Sequence, residues 1–474
     1  MNRTAATFVL TTIPALGLIG LALAQPGEPA PVSPATPPLP APEVVTVATA
    51  GDGSIVASAE VDRSAVLQED GTVRVKVTVR STHASTDTTS VPTDLVVVLD
   101  RSGSMSGEKI EDAKEAAAEL LGQLRAQDRF SLVTYASESR QLIPMAPVTD
   151  ANARIWAQQI RRIGVGGGTE MQSGLATGQA SLSPLPGRAQ RMILISDGLP
   201  NSAEGLLSQA SSLARAEVPL TTVGIGMDYD EQLMAGLADA GTGNFYWVQG
   251  SHDMAETFAA EFDTARETVA SGMAVRFQPG SGATLVEAAG YSHRPEDGGQ
   301  VFDVGTMFAQ QERSFWLTLD VGAAEAGDTV DPGELVVRWQ DLSGAPSAAT
   351  IDLPALSVTD DAVAYHAGFS SELWGEGIVE EEYNRMRAQV SARVQSGDRD
   401  GALALIDAYY TDNFVLNSSL GNAAVSGNLS EVQDLRGEVV DNFTGDNQRE
   451  RQNSWAKSST RDAYVGRRGG QYKK

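Results

Sequence analysis

Residues 94–107 read DLVVVLDRSGSMSG. Leu95 to Leu99 are apolar without a break, and Asp94 and Asp100 bound them. A run this short and apolar on both faces reads as a strand of a parallel sheet covered from both sides. Asp100 and the hydroxyls of Ser102, Ser104 and Ser106 follow at its exit. In open α/β sheets ligands collect beyond the carboxyl ends of the strands. The stretch therefore predicts a fold and also the edge of that fold where a site belongs.

Outward from it, residues 93–270 alternate the two periodicities. Strand-like runs are DLVVVLD, RFSLVTYA, RMILISDG, PLTTVGIG and NFYWVQ. Helix-like runs are EKIEDAKEAAAELLGQL, ARIWAQQIRRI, EMQSGLATGQASL, EGLLSQASSLARA, DEQLMAGLADA and DMAETFAAEFDTARETVA. Repeated β-then-α units of this length predict a doubly wound, mostly parallel α/β sheet between helices. QLIPMAPV adds a short edge strand, a position that tolerates Pro144.

On either side the pattern changes to period two. Val73, Val75, Val77 and Val79 alternate with Arg74, Lys76 and Thr78, and residues 271–358 supply several more such runs. The pair of strands near residues 55–80 cannot be stable alone. We therefore expect one β-sandwich split into 53–92 and 271–358, with the α/β domain of 93–270 inserted in it. Beyond it, Val379, Tyr383, Met386, Val390 and Val394 recur at helical spacing. Gly397 is a stop and a second helix starts near Arg399, a helical hairpin within 368–445. Residues 446–474 turn basic and Gly-rich, which reads as a flexible tail, or as a segment that docks on an acidic surface.

The oxygens can now be placed. Asp100, Ser102 and Ser104 leave the first strand together. Asp197 ends RMILISDG, the expected neighbouring strand, and Thr169 sits in GVGGGTE, where glycines allow close approach of the backbone. Asp100, Ser102, Ser104, Thr169 and Asp197 offer carboxylates and hydroxyls without nitrogen or sulfur. Such a set suits Mg²⁺, and less selectively Mn²⁺ or Ca²⁺. The alternative is structural: Asp and Ser after a strand form turns, and Ser104 or Ser106 could cap the helix that begins near Glu108.

These residues resemble the metal-ion-dependent adhesion site of von Willebrand factor A domains: Asp100-x-Ser102-x-Ser104, Thr169 in GGGTEMQSGL and Asp197 in SDGLPN. The likeness extends over roughly residues 93–268, through DRFSLVTYASESRQL and VGIGMDYDEQLMAGLADAGTGNFYWV. The flanking β segments are more weakly similar to those of exported bacterial and calcium-activated-channel-like proteins with this domain. The resemblance implies that Ser102 and Ser104 bind Mg²⁺ directly, that Asp100 and Asp197 act largely through water, and that Thr169 switches between the two modes. It further implies a protein ligand that supplies an Asp or Glu carboxylate.

Other classes fit less well. A phosphoryl-accepting aspartate would need an acid where Ser102 stands. No G-x-S-x-G or H-E-x-x-H is present, and His83, His252, His293 and His366 are scattered. GVGGGTE lacks the Gly-Lys-Ser/Thr of a phosphate loop. A binding protein is expected, not an enzyme; an envelope scaffold with a structural metal, or a hydrolase that uses Asp100, are the alternatives.

The setting follows from bulk properties. A formal net charge of -26 over 474 residues disfavours nucleic acid as a partner. Residues 1–24 carry Arg3, an apolar run and Ala22-Leu23-Ala24, a leader cleaved before Gln25 or else kept as an anchor. Residues 25–52 are a Pro/Ala-rich linker. The chain has no cysteine, which excludes disulfides and an N-terminal lipid attachment. Export to a periplasm, envelope or medium is expected, with a membrane link only through an uncleaved leader. Oligomeric state is not legible.

Overall fold

The computed structural model describes residues 44–46 and 53–467, except 69–70, 83–90, 184, 186, 198–199, 226–229, 249–266, 289–292, 323 and 342–343. The leader of 1–24, most of the linker, the body of the helix expected over 253–270 and the last residues of the basic tail lie outside the described residues.

The chain begins with strands β1 (Val44–Thr46), β2 (Ile55–Val61), β3 (Ala65–Leu67) and β4 (Thr72–Ser81). β1 falls inside the segment read as linker, and it pairs antiparallel with β2. An α/β segment follows: β5 (Thr93–Asp100), α1 (Glu108–Gln123), β6 (Arg129–Tyr135), β7 (Ser139–Pro147), α2 (Asp150–Arg161), α3 (Met171–Ala180), β8 (Ala189–Ser196), α4 (Leu206–Arg215), β9 (Leu220–Ile225), α5 (Glu231–Ala240) and β10 (Thr242–Val248). Its sheet has the order β10-β9-β8-β5-β6-β7, parallel except for edge strand β7.

Every residue of β5 is buried. Strand alternation divides its side chains: Leu95, Val97 and Leu99 pack with Ile110, Leu120, Trp156 and Ile160 of α1 and α2. Val96 and Val98 pack with Leu175, Leu206, Leu213 and Leu237 of α3, α4 and α5. A strand with helices on both faces has no polar side, which is why the run carries no alternation.

The chain then returns to antiparallel pairing in β11 (Thr268–Pro279), β12 (Ala283–Glu287), β13 (His293–Glu296), β14 (Gly299–Phe308), β15 (Glu312–Val321), β16 (Thr329–Val330), β17 (Gly333–Asp341), β18 (Pro346–Asp352) and β19 (Leu356–Thr359). Thr268 to Ala270 were expected to end a helix; instead they open β11. Their side chains are buried and Thr268 and Ala270 pair with β14, so tertiary burial overrides local helix signal. Two sheets, β1-β2-β4-β15-β12 and β13-β14-β11-β17-β18, share one core. Val73, Val75, Val77 and Val79 of β4 enter it from one sheet and Val275, Phe277, Leu335 and Val337 from the other. Phe302 and Phe315 meet edge-on across it, with centroids 5.2 Å apart. A small sheet, β16-β19-β3, accompanies them.

Helices complete the described chain: α6 (Ala362–Ala367), α7 (Ser371–Glu376), a π-helical turn (Gly377–Glu382), α8 (Tyr383–Ser396), α9 (Arg399–Leu420), α10 (Ala423–Asn442) and α11 (Gln448–Arg467). Gly397 ends α8 at φ 82°, a left-handed C-cap, and Met386, Val390 and Val394 face the core of this region. Its polar seam against the sandwich is ionic. Arg385 contacts Glu287, Glu381 and Glu382, Arg74 contacts Glu382 and Asp62, and Lys76 contacts Glu376.

The segment expected as a flexible basic tail is largely helix α11, and this corrects the sequence reading. Gln452, Ala456, Lys457, Ser459, Thr460, Ala463 and Tyr464 are buried at helical spacing. Most of that stripe is polar or small, so hydrophobic periodicity does not reveal it. Its groups are nonetheless bonded: Ser391 Oγ donates to the Ala456 carbonyl at 2.8 Å, and Arg387 reaches Asp462 at 2.7 Å. Lys457 pairs with Glu231 of α5 at 2.8 Å, both nearly fully buried. Tyr464 enters the α/β core edge-on to Phe245, with centroids 5.6 Å apart.

Candidate metal centre

β5 and β8 are adjacent and parallel, with Leu99 opposite Ile195, so their carboxyl ends deliver Asp100 and Asp197 side by side. Asp100 is the last residue of β5 and Asp197 follows Ser196 at the end of β8. Both are 0% exposed. Asp100 Oδ1 accepts the Ser102 N–H at 2.8 Å. Its Oδ2 accepts the Ser196 hydroxyl at 2.8 Å and the Tyr135 hydroxyl at 3.3 Å. Burial raises the Asp100 pKa above the usual carboxylate value, against the hydrogen bonds from Ser102 and Ser196, and the Asp197 charge adds to the rise. Burial also pushes the Tyr135 phenol well up, with the Asp100 charge next in effect. Tyr135 is therefore a neutral donor.

After β5 the chain turns through a short 3₁₀ segment, Gly103–Met105, anchored by Met105 in the core beneath. Ser102 Oγ lies 3.1 Å from Ser104 Oγ, and Ser104 Oγ donates to Asp197 Oδ1 at 2.9 Å. Asp100, Ser102, Ser104 and Asp197 thus form one continuous polar chain. Of the structural alternative, the turn is present, in the Asp100–Ser102 bond and the 3₁₀ segment, but helix capping by Ser104 or Ser106 is not, since the N-cap of α1 is Gly107, without a side-chain cap.

Thr169 arrives on the glycine-rich loop, which is laced to the same turn. Gly103 N–H donates to the Gly167 carbonyl at 3.1 Å, and Gly166 N–H to the Arg101 carbonyl at 2.9 Å. Gly167 has φ 93°, and a Cβ there would lie 2.9 Å from Ser137 Oγ, so only glycine allows this approach. Thr169 is 8% exposed; its N–H donates to Asn201 Oδ1 at 3.3 Å, and the Asn201 N–H returns to the Thr169 carbonyl at 3.0 Å. Asn201, beyond β8, therefore holds the Thr169 loop as well.

Sequence reasoning missed four contributors. Tyr135 carried a signal in strand register, because it ends β6 directly opposite Asp100. Ser196 adjoins Asp197 in SDG. Asn201 closes SDGLPN. Lys109, in the first turn of α1, pairs with Asp197 Oδ2 at 2.5 Å and has no motif of its own.

The donor set is oxygen only, apart from the Lys109 ammonium. Among the described residues no three His, Cys, Asp or Glu side chains gather as a metal site, so a cation here would rely on the hydroxyls. Separations of 2.9 and 3.1 Å between successive oxygens match the edge of an octahedron with Mg–O bonds of about 2.0–2.1 Å, an edge of about 2.9 Å. They are also ordinary hydrogen-bond lengths, so the distances are compatible with such an ion without requiring one. Of the histidines in the described residues, His293 hydrogen-bonds Gln300 and His366 packs on Tyr365.

The family model described as von Willebrand factor type A domain matches residues 94–260. Inter-alpha-trypsin inhibitor heavy chain H1 of Mesocricetus auratus is 26% identical over 211 residues, which is 42% of this chain and 23% of that protein. This chain thus spans under a quarter of that relative's length. An uncharacterized protein of Synechocystis sp. is 23% identical over 330 residues, 67% of this chain and 77% of its own. A solved von Willebrand factor type A protein from Catenulispora acidiphila superposes with TM-score 0.61 at 17% identity, covering 83% of this chain and 90% of that one. The ArnB paralog VWA2 from Sulfolobus acidocaldarius superposes with TM-score 0.54 at 15% identity, over 87% and 99% of the two chains. Residues 94–260 are a von Willebrand factor type A domain, and the structural likeness extends to its α/β fold.

Proposed function

We propose that this von Willebrand factor type A domain binds a partner protein by holding a divalent cation, Mg²⁺ foremost, that accepts a carboxylate from the partner. The observation that carries the reading is the convergence of Ser102, Ser104, Asp100 and Asp197 in one polar chain at the ends of adjacent strands. Ser102, Ser104 and Thr169 would hold the ion, with Asp100 and Asp197 behind them. A bound cation supplies Lewis acidity that hydroxyl ligands leave largely unneutralised, so an outside Asp or Glu is a favourable further ligand.

The protein's own groups support binding over chemistry. Asp100 is buried with both oxygens accepting hydrogen bonds, which makes it a poor nucleophile. Its fixed neighbours Tyr135 and Ser196 orient it. Protein interaction is also the role in keeping with von Willebrand factor type A domains in general, and export by the leader read at residues 1–24 would put such a partner in the envelope or medium.

The test is capture from an envelope extract by the full chain in Mg²⁺ or in chelator, with Thr169→Ala beside the parent, and a thermal melt of each. Capture lost in chelator and in Thr169→Ala, with Tm little changed, is the expected result. A chelator that lowers Tm without affecting capture would assign the ion to scaffolding instead. Metal-dependent ester hydrolysis abolished by Asp100→Ala would replace binding by catalysis.

A further inference from the structure

Lys109 stands where a helix disfavours it. It lies in the first turn of α1, whose N-terminal dipole repels a cation. It is nevertheless drawn inward, 26% exposed, onto the fully buried Asp197. The two Asp197 oxygens are thus divided between the Ser104 hydroxyl and this ammonium. Among the described residues, Asp100, Asp197 and Lys109 carry the charges bonded into the cluster, and the Lys109 ammonium adds one positive charge beside any divalent ion held there.

The geometry points to Lys109 as the residue that sets the charge of the centre, weakening its hold on the divalent ion and strengthening its hold on an incoming carboxylate. The inference rests on the metal-binding reading above and adds to it the residue that decides anion selectivity. A cation close to the bound ion repels it and competes for Asp197. The same cation attracts the anion that completes the site. Removing it must move the two affinities in opposite directions, whereas loss of a merely structural contact would weaken both.

The experiment measures Mg²⁺ binding to the full chain by calorimetry, in chloride and with acetate replacing chloride at equal ionic strength. Linkage makes the tightening of Mg²⁺ by acetate a readout of carboxylate capture. The parent is expected to bind Mg²⁺ more tightly in acetate. Lys109→Met and Lys109→Gln should bind Mg²⁺ about tenfold more tightly in chloride and lose most of the acetate effect, while Lys109→Arg retains it. Weaker or unchanged Mg²⁺ binding in both neutral variants would overturn the assignment of Lys109 alone. A parent that binds no Mg²⁺ in either salt would overturn the metal-binding reading itself.

Discussion

Glu381 sits in the π-helical turn between α7 and α8 with its side chain 3% exposed and Oε2 lacking a partner among the described residues. Burial lifts its pKa to about 7; Arg385 opposes the rise, while Glu287 and Glu382 reinforce it and Arg74 opposes it more weakly. A raised carboxyl pKa gives stability that is complete below the unfolded value, near 4.5. That stability is lost as pH rises through about 7. The parent should therefore lose stability between these limits, and Glu381→Gln should lose less. At pH above 7 the variant is expected to be more stable by about 1–3 kcal/mol, and near pH 4 the two should converge. Denaturant melts across that range check this; a parent no less stable at high pH than the variant contradicts it. At this scale the site was legible in part. Asp100, Ser102, Ser104 and Asp197 announce themselves by type and by position after a strand. Tyr135 and Lys109 do not, because their parts depend on the register of β6 against β5 and on a contact between α1 and the end of β8 that no short motif encodes.

Among the elements, α11 is the longest whose state local pattern misjudged. Its buried stripe of Gln452, Ala456, Lys457, Ser459, Thr460, Ala463 and Tyr464 is mostly polar or small and includes hydrogen-bonded groups and a buried ion pair. Removing one partner of such a pair leaves a charge buried and unpaired, which costs about 3–5 kcal/mol. Lys457→Met is expected to destabilise the protein by that amount, since among the described residues Glu231 would then keep Gln395 alone, at 2.9 Å. Adding Glu231→Gln should restore much of the loss. Urea melts of the parent, the single variants and the double variant measure it; a single variant within about 0.5 kcal/mol of the parent would mean that α11 is not held there. By contrast, β5, α1 and α8 were legible because each has one strong signal: an unbroken apolar run, a long run of helix formers, a heptad-like stripe ended by Gly397.

Across the whole molecule, the α/β domain interrupts the strands that flank it. β4 lies between β2 and β15, so the sheet from the later segment has its central partner in the earlier one. Val73, Val75, Val77 and Val79 supply a face of the shared core. Residues 268–359 alone are expected to be unfolded or aggregated, and joining residues 53–82 to them through a flexible linker should restore dispersed NMR signals. A stable, dispersed 268–359 fragment would contradict this. Period-two alternation in β4 was readable in the sequence, as was the division of the molecule into α/β and antiparallel parts. Which element meets which was not: the pairing of β4 with β15 and the entry of Tyr464 into the α/β core join residues far apart in sequence, while β1 pairs with nearby β2 from within a segment whose Pro/Ala composition hides it.

The most direct measurement of the central claim is calorimetric titration of Mg²⁺ into the purified full chain, beside Ser102→Ala/Ser104→Ala and beside Asp197→Ala, with circular dichroism to establish that each is folded. One ion per parent chain, abolished in both folded variants, is the expected result. A folded parent that takes up no Mg²⁺, or variants that bind it as the parent does, would contradict a cation held by the hydroxyls at the end of β5.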